Sequence, residues 1–333
     1  MNAGRRRWAA LAVVFAVGAC ASAPLPEPSA SPAPDTPPAV IIDAQLERIL
    51  SSVSETLVAA DAASSPEALV GRVTGPARVM REAEYALAAA TDGQDPVTPL
   101  VTAPQVAIVS ATTEWPRLVS VVTEIPEGAN LPLLLALVQT EARDNYQLWS
   151  WVRLLPGTEM PATVNPEVGS PPVAADSDAL RISPTVAVEH YADLLAGGDE
   201  FAAEFAEDAF RTRFLSSVAT LSEGVSVAGE AETTATPSEH GVQAIGTNDG
   251  GAIVFAAIDQ RLIVRRTVAG ATLQVGEGLA YGGDREVRGT LTASYLVSIA
   301  LHVPPAGSEE QVRVLGFEQV LTGVERDDST SPD

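Results

Sequence analysis

The chain has 333 residues, of which 46% are apolar and 19% are charged, so its composition suits folded cores and excludes a largely disordered protein. Its 20 basic and 43 acidic residues give a formal net charge of −23. This charge excludes nucleic acid as a partner, because phosphate binding requires clustered basic residues. It also disfavours adsorption to anionic lipid.

Residues 1–19 have the features of an export signal. Arg5, Arg6 and Arg7 form a basic region, and residues 8–17 form an apolar segment that is too short to span a bilayer. Adjacent arginines also occur in twin-arginine signals, but the other residues of that motif are absent. The sequence therefore predicts a cleaved signal and not a transmembrane anchor.

The only cysteine of the chain closes this apolar segment. Val17, Gly18, Ala19 and Cys20 resemble the lipobox of bacterial lipoproteins. In that family a diacylglycerol is attached to the cysteine thiol and the chain is cut just before it, so the resemblance implies lipid attachment at Cys20. Two acyl chains make a durable anchor, since each buried methylene contributes about 0.8 kcal/mol. The alternative is an ordinary small-x-small cleavage site, which the neighbouring alanines also provide.

The first half of the chain reads as helices followed by strands. Residues 20–41 are rich in Pro, Ala and Ser and predict a semi-rigid tether. Apolar residues then recur at helical spacing, with Asp43 as the expected N-cap, and a second helical stretch is interrupted at Gly75 and Pro76. Four strands are predicted after it, at 106–111, 117–123, 133–140 and 146–155.

The second half repeats this order after a Pro-rich segment at 156–181, which we expect to lie on the surface. A helix begins after Ser183 and Pro184, and residues 201–218 continue with helical spacing. Strand patterns follow at 253–258, 261–268, 291–303 and 311–322. Residues 223–250 and 269–289 are richer in glycine and show weaker patterns, of the kind that edge strands can have.

Three sets of matched positions favour an internal duplication. At one constant offset the first set pairs Leu69, Val73, Ala77 and Arg81 with Phe201, Phe205, Ala209 and Arg213. Residues 117–119 match 261–263, and residues 151–157 match 317–323, in the same order.

A helix followed by a curled antiparallel sheet resembles the cystatin-like and nuclear-transport-factor-2-like cone folds, in which the helix packs into the concave face of the sheet. The lipobox, the tether and stretches such as residues 71–78 together resemble actinobacterial surface lipoproteins with no assigned function. A composition without lysine and rich in Ala, Gly, Pro and Val is typical of such GC-rich genomes. Because these lipoproteins have no assigned function, the resemblance implies no catalytic residues in this chain.

We therefore predict an α+β protein with two tandem cone-like domains, each with N-terminal helices packed on a curled antiparallel sheet. The predicted boundaries are 1–19 for the signal peptide, 20–41 for the tether, 42–157 for the first domain, 158–182 for the linker, 183–326 for the second domain and 327–333 for a disordered tail.

Residue types that carry catalysis are sparse and scattered. His190, His240 and His302 lack partners at metal-ligand spacing, and the motifs of zinc hydrolases and serine hydrolases are absent. The glycine-rich residues 276–283 do not have the spacing of a dinucleotide-binding loop. We predict no catalytic, cofactor-binding or metal-binding residues.

Two groups of side chains leave alternatives open. Glu204, Glu207 and Asp208 lie at helical spacing, as in a carboxylate cluster for acid–base chemistry or calcium, or as in the solvated face of a helix. Trp149 and Trp151 alternate on a strand and are expected to face the same way, either to stack on a ligand or to form the core face of the sheet.

The leading prediction is an exported, lipid-anchored protein at the outer face of the cytoplasmic membrane, acting as a non-catalytic binding or scaffold module. Its expected partners are the membrane, through acyl chains on Cys20, and other envelope proteins or wall polymers. The alternatives are a wall-directed hydrolase that uses unidentified carboxylates and a carrier of an apolar ligand in a cavity under the sheet.

Overall fold

The computed structural model describes residues 37–281 and 283–333, so the predicted signal peptide, Cys20 and most of the predicted tether lie outside the described residues. The described residues form helices and strands with these bounds: α1 Asp43–Ala63, α2 Gly75–Ala90, β1 Pro104–Val109, β2 Arg117–Thr123, β3 Leu133–Gln139, β4 Gln147–Leu154, α3 Pro184–Leu195, α4 Ala209–Val225, β5 Gly229–Gly246, β6 Ala252–Arg266, α5 Glu277–Ala280, β7 Thr290–Val303 and β8 Arg313–Asp327. Short 3₁₀ turns occupy Pro66–Leu69, Ala202–Glu204 and Asp328–Thr330.

The helices begin close to the positions that the sequence indicates. Asp43 was expected to cap α1 but is its first helical residue, with Ile42 at the N-cap, and it places a carboxylate in the first turn. The capping of α3 is confirmed, because the Ser183 hydroxyl accepts a hydrogen bond from the Val186 amide. The expected interruption at Gly75 and Pro76 is the start of α2.

All eight strands belong to one antiparallel sheet with the order β1-β2-β3-β4-β8-β7-β6-β5. The sheet curls into a half-barrel. The strands of the second half are much longer than predicted: one continuous strand, β6, replaces the two strands expected at 253–258 and 261–268, and the weakly patterned 223–250 contains the 18-residue β5.

The two predicted domains are not shown as separate sheets. β4 pairs with β8 through the partners Arg153↔Phe317 and Leu154↔Gly316, which joins the two four-stranded meanders side by side. Thr36–Asp333 accordingly group into one compact unit. Buried polar groups reinforce this junction, since the hydroxyl oxygens of Ser150 in β4 and Ser298 in β7 lie 2.6 Å apart.

The two halves nevertheless share detailed geometry. Val73, just before α2, forms a parallel bridge with Leu148, and Phe205, just before α4, forms a parallel bridge with Val312. Val73 and Phe205 are matched by the constant offset found in the sequence. The backbone hydrogen bonds on either side of both bridges agree as well. Val73 and Phe205 therefore have the same local geometry.

The segment predicted as a surface linker, 158–182, contacts both edges of the sheet. The Ser170 amide donates to the Val109 carbonyl at 2.7 Å, and Pro172 bridges Ile245 of β5. Ser170 is fully buried and Leu180 is 4% exposed. Most of the segment is exposed or half-exposed, as predicted, and it also contacts the edge strands β1 and β5.

The C-terminal residues 327–333 were predicted as a disordered tail. They instead contain a 3₁₀ turn, and the Asp333 carboxylate lies 2.6 Å from the buried guanidinium of Arg266. An opposite charge within hydrogen-bond distance explains this docking.

Candidate functional site

The histidines stay apart in the structure. His190 stacks on Phe201 with ring centroids 3.5 Å apart, and its Nδ1 lies 2.6 Å from a Glu204 carboxylate oxygen. His302 is buried beside Asp249, and this burial lowers its pKa. Across residues 37–281 and 283–333, no group of three His, Cys, Asp or Glu side chains is arranged to hold a metal ion.

The two tryptophans do not share a face as expected. The pairing of β3 with β4 shifts at Ala136 and Leu137, so Trp149 has no paired residue and the alternation along the strand is broken. Trp149 and Trp151 are both buried and belong to different hydrophobic clusters. They are core residues and line neither of the two cavities described below.

The three carboxylates at 204, 207 and 208 also have separate roles. Glu204 contacts His190, and Glu207 is exposed. Asp208 caps α4 by accepting a hydrogen bond from the Arg211 amide at 2.7 Å, and it accepts another from the Tyr191 hydroxyl at 3.2 Å. Burial raises the pKa of Asp208, against these hydrogen bonds.

Helix α4 has buried residues only near its two ends. Phe210 and Val225 are its buried residues, and the Phe210 ring stacks on Phe317 of β8 with centroids 3.9 Å apart. The apolar side chains between these ends are only half-buried. Phe214, Val218 and Leu221 in the middle of α4 pack against the core clusters, and open space remains beside and beneath the helix.

A cavity of about 1020 Å³ lies between α4 and strands β4 and β8. We call it the polar arm, because its lining includes Arg153, Asp208, Thr212, Arg213, Ser216 and Glu318. A second cavity of about 350 Å³ lies beneath α4, and we call it the apolar arm, because its lining includes Phe214, Val218 and Leu221 of α4 together with Leu262, Leu279 and Tyr295. Both arms are lined by Phe210, Arg213, Phe317 and Gln319, so together they form one cleft.

Glu318 is the most perturbed carboxylate of the cleft. Its Oε2 atom is buried, lies 3.7 Å from the Arg153 guanidinium and accepts no hydrogen bond from the described residues. Burial raises the pKa of Glu318 to about 7, because desolvation and the nearby Glu84 outweigh the attraction of Arg153. A desolvated carboxylate of this kind is typical of functional sites, although ion pairs in cores also produce it.

The equivalent place in the first half is closed by an ion-pair network. Arg81 of α2 is fully buried, and its guanidinium lies 2.5 Å from Asp61 and 2.7 Å from Glu84. The Thr98 carbonyl accepts a further hydrogen bond from Arg81 at 2.6 Å. The constant offset between the two halves matches Arg81 with Arg213 and Glu84 with Ser216. Arg213 and Ser216 both line the cleft.

Residues 38–326 match the family model described as "Domain of unknown function (DUF8094)". The chain belongs to the DUF8094 family. The match covers both halves of the sheet and the segment between them, so every residue of the cleft lies within it. No curated protein matches the chain, and no solved structure does.

The sequence singled out Glu207 and Asp208 of this DUF8094 domain, which line the polar arm, but it did not predict the cleft. Arg213 appeared only as a partner of Arg81 in the repeat. Glu318 and Gln319 interrupt an apolar strand with two polar residues, which was the available signal. In the part of the chain that the structure describes, no helix is both long and apolar enough to cross a membrane.

Proposed function

We propose that this protein is an exported, lipid-anchored envelope protein that binds an organic ligand in the cleft beside α4, without catalysing a reaction. The resemblance of residues 17–20 to a lipobox and the Pro-rich composition of 20–41 support attachment through Cys20 at the outer face of the cytoplasmic membrane. The acyl chains serve as the membrane contact, and the DUF8094 domain faces other envelope components.

The cleft is the observation that carries the binding role. Ligand sites are concave and mostly apolar, with a few polar groups that orient the ligand, and they commonly have volumes of about 300–1,000 Å³. The two arms have volumes of about 1020 and 350 Å³ and combine stacked aromatic rings with Arg213 and Glu318.

Native mass spectrometry of the full-length protein, purified in detergent from its own membranes, tests this role. The wild type is expected to retain a bound small molecule. Ser216→Trp fills the cleft from an exposed position of α4 and is expected to lose that mass. Ala219→Trp is the matched control, since Ala219 is exposed on the same helix and lines neither arm. Equal retention by all three proteins would refute the cleft as the site.

A wall-directed hydrolase is the second candidate, and Glu318 favours it. A carboxylate whose pKa lies near 7 suits general acid–base catalysis at neutral pH. Asp208 is already engaged as the cap of α4, which leaves the exposed Glu207 as the other carboxylate that lines the polar arm. Release of soluble fragments from purified cell wall by the wild type, abolished by Glu318→Gln, would establish the hydrolase and exclude the binding module.

We also propose that the two halves arose by duplication of one cone-like α+β unit. The equivalent bridges at Val73 and Phe205 support this origin. The pairing of β4 with β8 supports it as well. If the antiparallel register of Arg153↔Phe317 is extended by two residues, Trp151 lies opposite Gln319. These two pairs are equivalent if Trp151 corresponds to Phe317 and Arg153 corresponds to Gln319, as the sequence match indicates. A solved structure of a protein with a single such unit would test it directly.

A further inference from the structure

The two arms of the cleft differ in chemistry and meet at one point. The stacked rings of Phe210 and Phe317 line both arms, as does Arg213. On one side lie the charged and hydroxyl groups of the polar arm, and on the other lie the aliphatic and aromatic side chains of the apolar arm. The polar arm also contains Leu131, Leu154 and Leu155, so a molecule that fills both arms meets charged groups only in the polar arm and at Arg213, and mainly apolar side chains elsewhere.

Arg213 is the cation that this cleft offers to a ligand. Among the described residues, no carboxylate lies within ion-pair distance of its guanidinium, and no side chain bonds to it. The other basic groups nearby are engaged: Arg153 lies 3.7 Å from Glu318, and Arg211 lies 3.7 Å from Asp208. A ligand with a negative charge would complete the environment of Arg213.

The first half of the chain shows a matching arginine with its negative partners in place. Arg81 is held by the carboxylates of Asp61 and Glu84. At the matching positions the second half has Arg213, Asp193 and Ser216, so the arginine is kept while Glu84 is replaced by a small neutral residue. The Asp193 carboxylate lies against Gly198 and forms no ion pair with Arg213. Ser216 is smaller than Glu84 and carries no charge, and both Ser216 and Arg213 line the cleft.

We propose that the cleft binds a single-chain amphiphile with an anionic head group, with the head group on Arg213 and the acyl chain in the apolar arm. This inference rests on the proposed binding function and names its ligand class. Three carboxylates also line the polar arm, so the preference for an anion is local to the Arg213 guanidinium, which has no counter-ion among the described residues. Half-buried Phe214, Val218 and Leu221 favour an acyl chain, because burying their apolar surface together with the chain is favourable.

Competition against a fluorescent fatty acid, with all lipids below their micellar concentrations, tests the ligand class on the full-length protein. The probes are oleate, oleoyl lysophosphatidate and oleyl alcohol, which share one chain and differ in the head group. Arg213→Gln is expected to weaken the binding of the preferred anion by about tenfold or more, since the variant loses a hydrogen bond to a charged group. Binding of the alcohol is expected to stay within about twofold, and Arg213→Lys is expected to restore part of the loss.

The outcomes separate this inference from the function on which it rests. Preference for oleate identifies a carboxylate head group, and preference for lysophosphatidate identifies a phosphate; either one supports the inference if it depends on Arg213. Equal binding of an anion by the wild type and Arg213→Gln overturns the head-group assignment. If none of the three lipids binds while a bound mass is retained in the native protein and lost in Ser216→Trp, the ligand class is wrong and the binding function stands.

Discussion

Arg81 and Arg213 occupy matched positions of α2 and α4 in opposite environments. Arg81 is fully buried and lies within 2.7 Å of two carboxylates, whereas Arg213 is exposed and lines the cleft. Arg81 and its two carboxylates therefore fill the space beside α2, whereas Arg213 lines a cavity beside α4. This difference explains why the cleft lies beside α4 and not beside α2.

Replacing these two arginines should have very different effects on stability. Arg81→Met leaves Asp61 and Glu84 without their cation in a desolvated place, and we expect it to lower the free energy of unfolding by about 3–5 kcal/mol. Arg213→Met should change it by no more than about 0.5 kcal/mol, because the side chain is exposed. Urea unfolding of both variants measures the difference, and similar losses would contradict the assignment.

The junction between β4 and β8 depends on a glycine. A Cβ atom at Gly316 would lie 2.5 Å from the Arg153 carbonyl oxygen, so Gly316→Ala should push the two strands apart and cost about 1–3 kcal/mol. Gly323 on the same strand has no atom within 4 Å of such a Cβ, and Gly323→Ala should be neutral or stabilising by up to about 1 kcal/mol. Thermal unfolding of the two variants provides the comparison. A Gly316→Ala variant as stable as the wild type would show that the junction is not tightly packed.

Glu318 should make stability depend on pH. Its pKa is raised from 4.5 to about 7 by burial, so the folded state keeps a proton that the unfolded chain has released, and stability falls as the pH rises through this window. Between pH 5 and pH 8 this loss is about 2 kcal/mol. Glu318→Gln removes the titrating group, so its free energy of unfolding should fall less than that of the wild type over the same range.

Unfolding by urea at both pH values measures this difference. Glu325→Gln is the control, since Glu325 is exposed on the same strand and its replacement should leave the wild-type profile unchanged. An identical slope for the wild type and Glu318→Gln would show that Glu318 is already ionised at pH 5.

Cys20 lies outside the described residues, and its substitution tests the proposed lipid attachment. Cys20→Ala removes the thiol that would carry the diacylglycerol, so lipid labelling should disappear, and the protein should be released into the medium or left unprocessed. Ser22→Ala changes a neighbouring residue and should keep both labelling and membrane retention. Membrane fractionation after labelling with radioactive palmitate measures these outcomes. Unchanged labelling of Cys20→Ala would exclude the lipobox.

Local patterns predicted much of the secondary structure. The burial of Leu46, Leu50, Val53 and Leu57 along α1 follows from their helical spacing, and the start of α3 follows from the hydroxyl of Ser183. β5 gave only a weak edge-strand pattern, because its residues are mostly exposed and half-exposed, so hydrophobicity does not alternate cleanly along it. Trp149 was assigned the wrong face, because a bulge depends on pairing with a neighbouring strand.

The sequence by itself determined most helices and the strands of the first half, the matched positions of the two halves and the resemblance of residues 17–20 to a lipobox, since each depends on spacing or identity within a short stretch. Only the tertiary structure decided that both halves share one sheet, because the pairing of Arg153 with Phe317 joins residues far apart in the chain. The same is true of the cleft. Whether Arg81 or Arg213 is buried depends on which carboxylates the fold places next to its guanidinium. The distance between an arginine and a carboxylate cannot be predicted from the periodicity of the sequence.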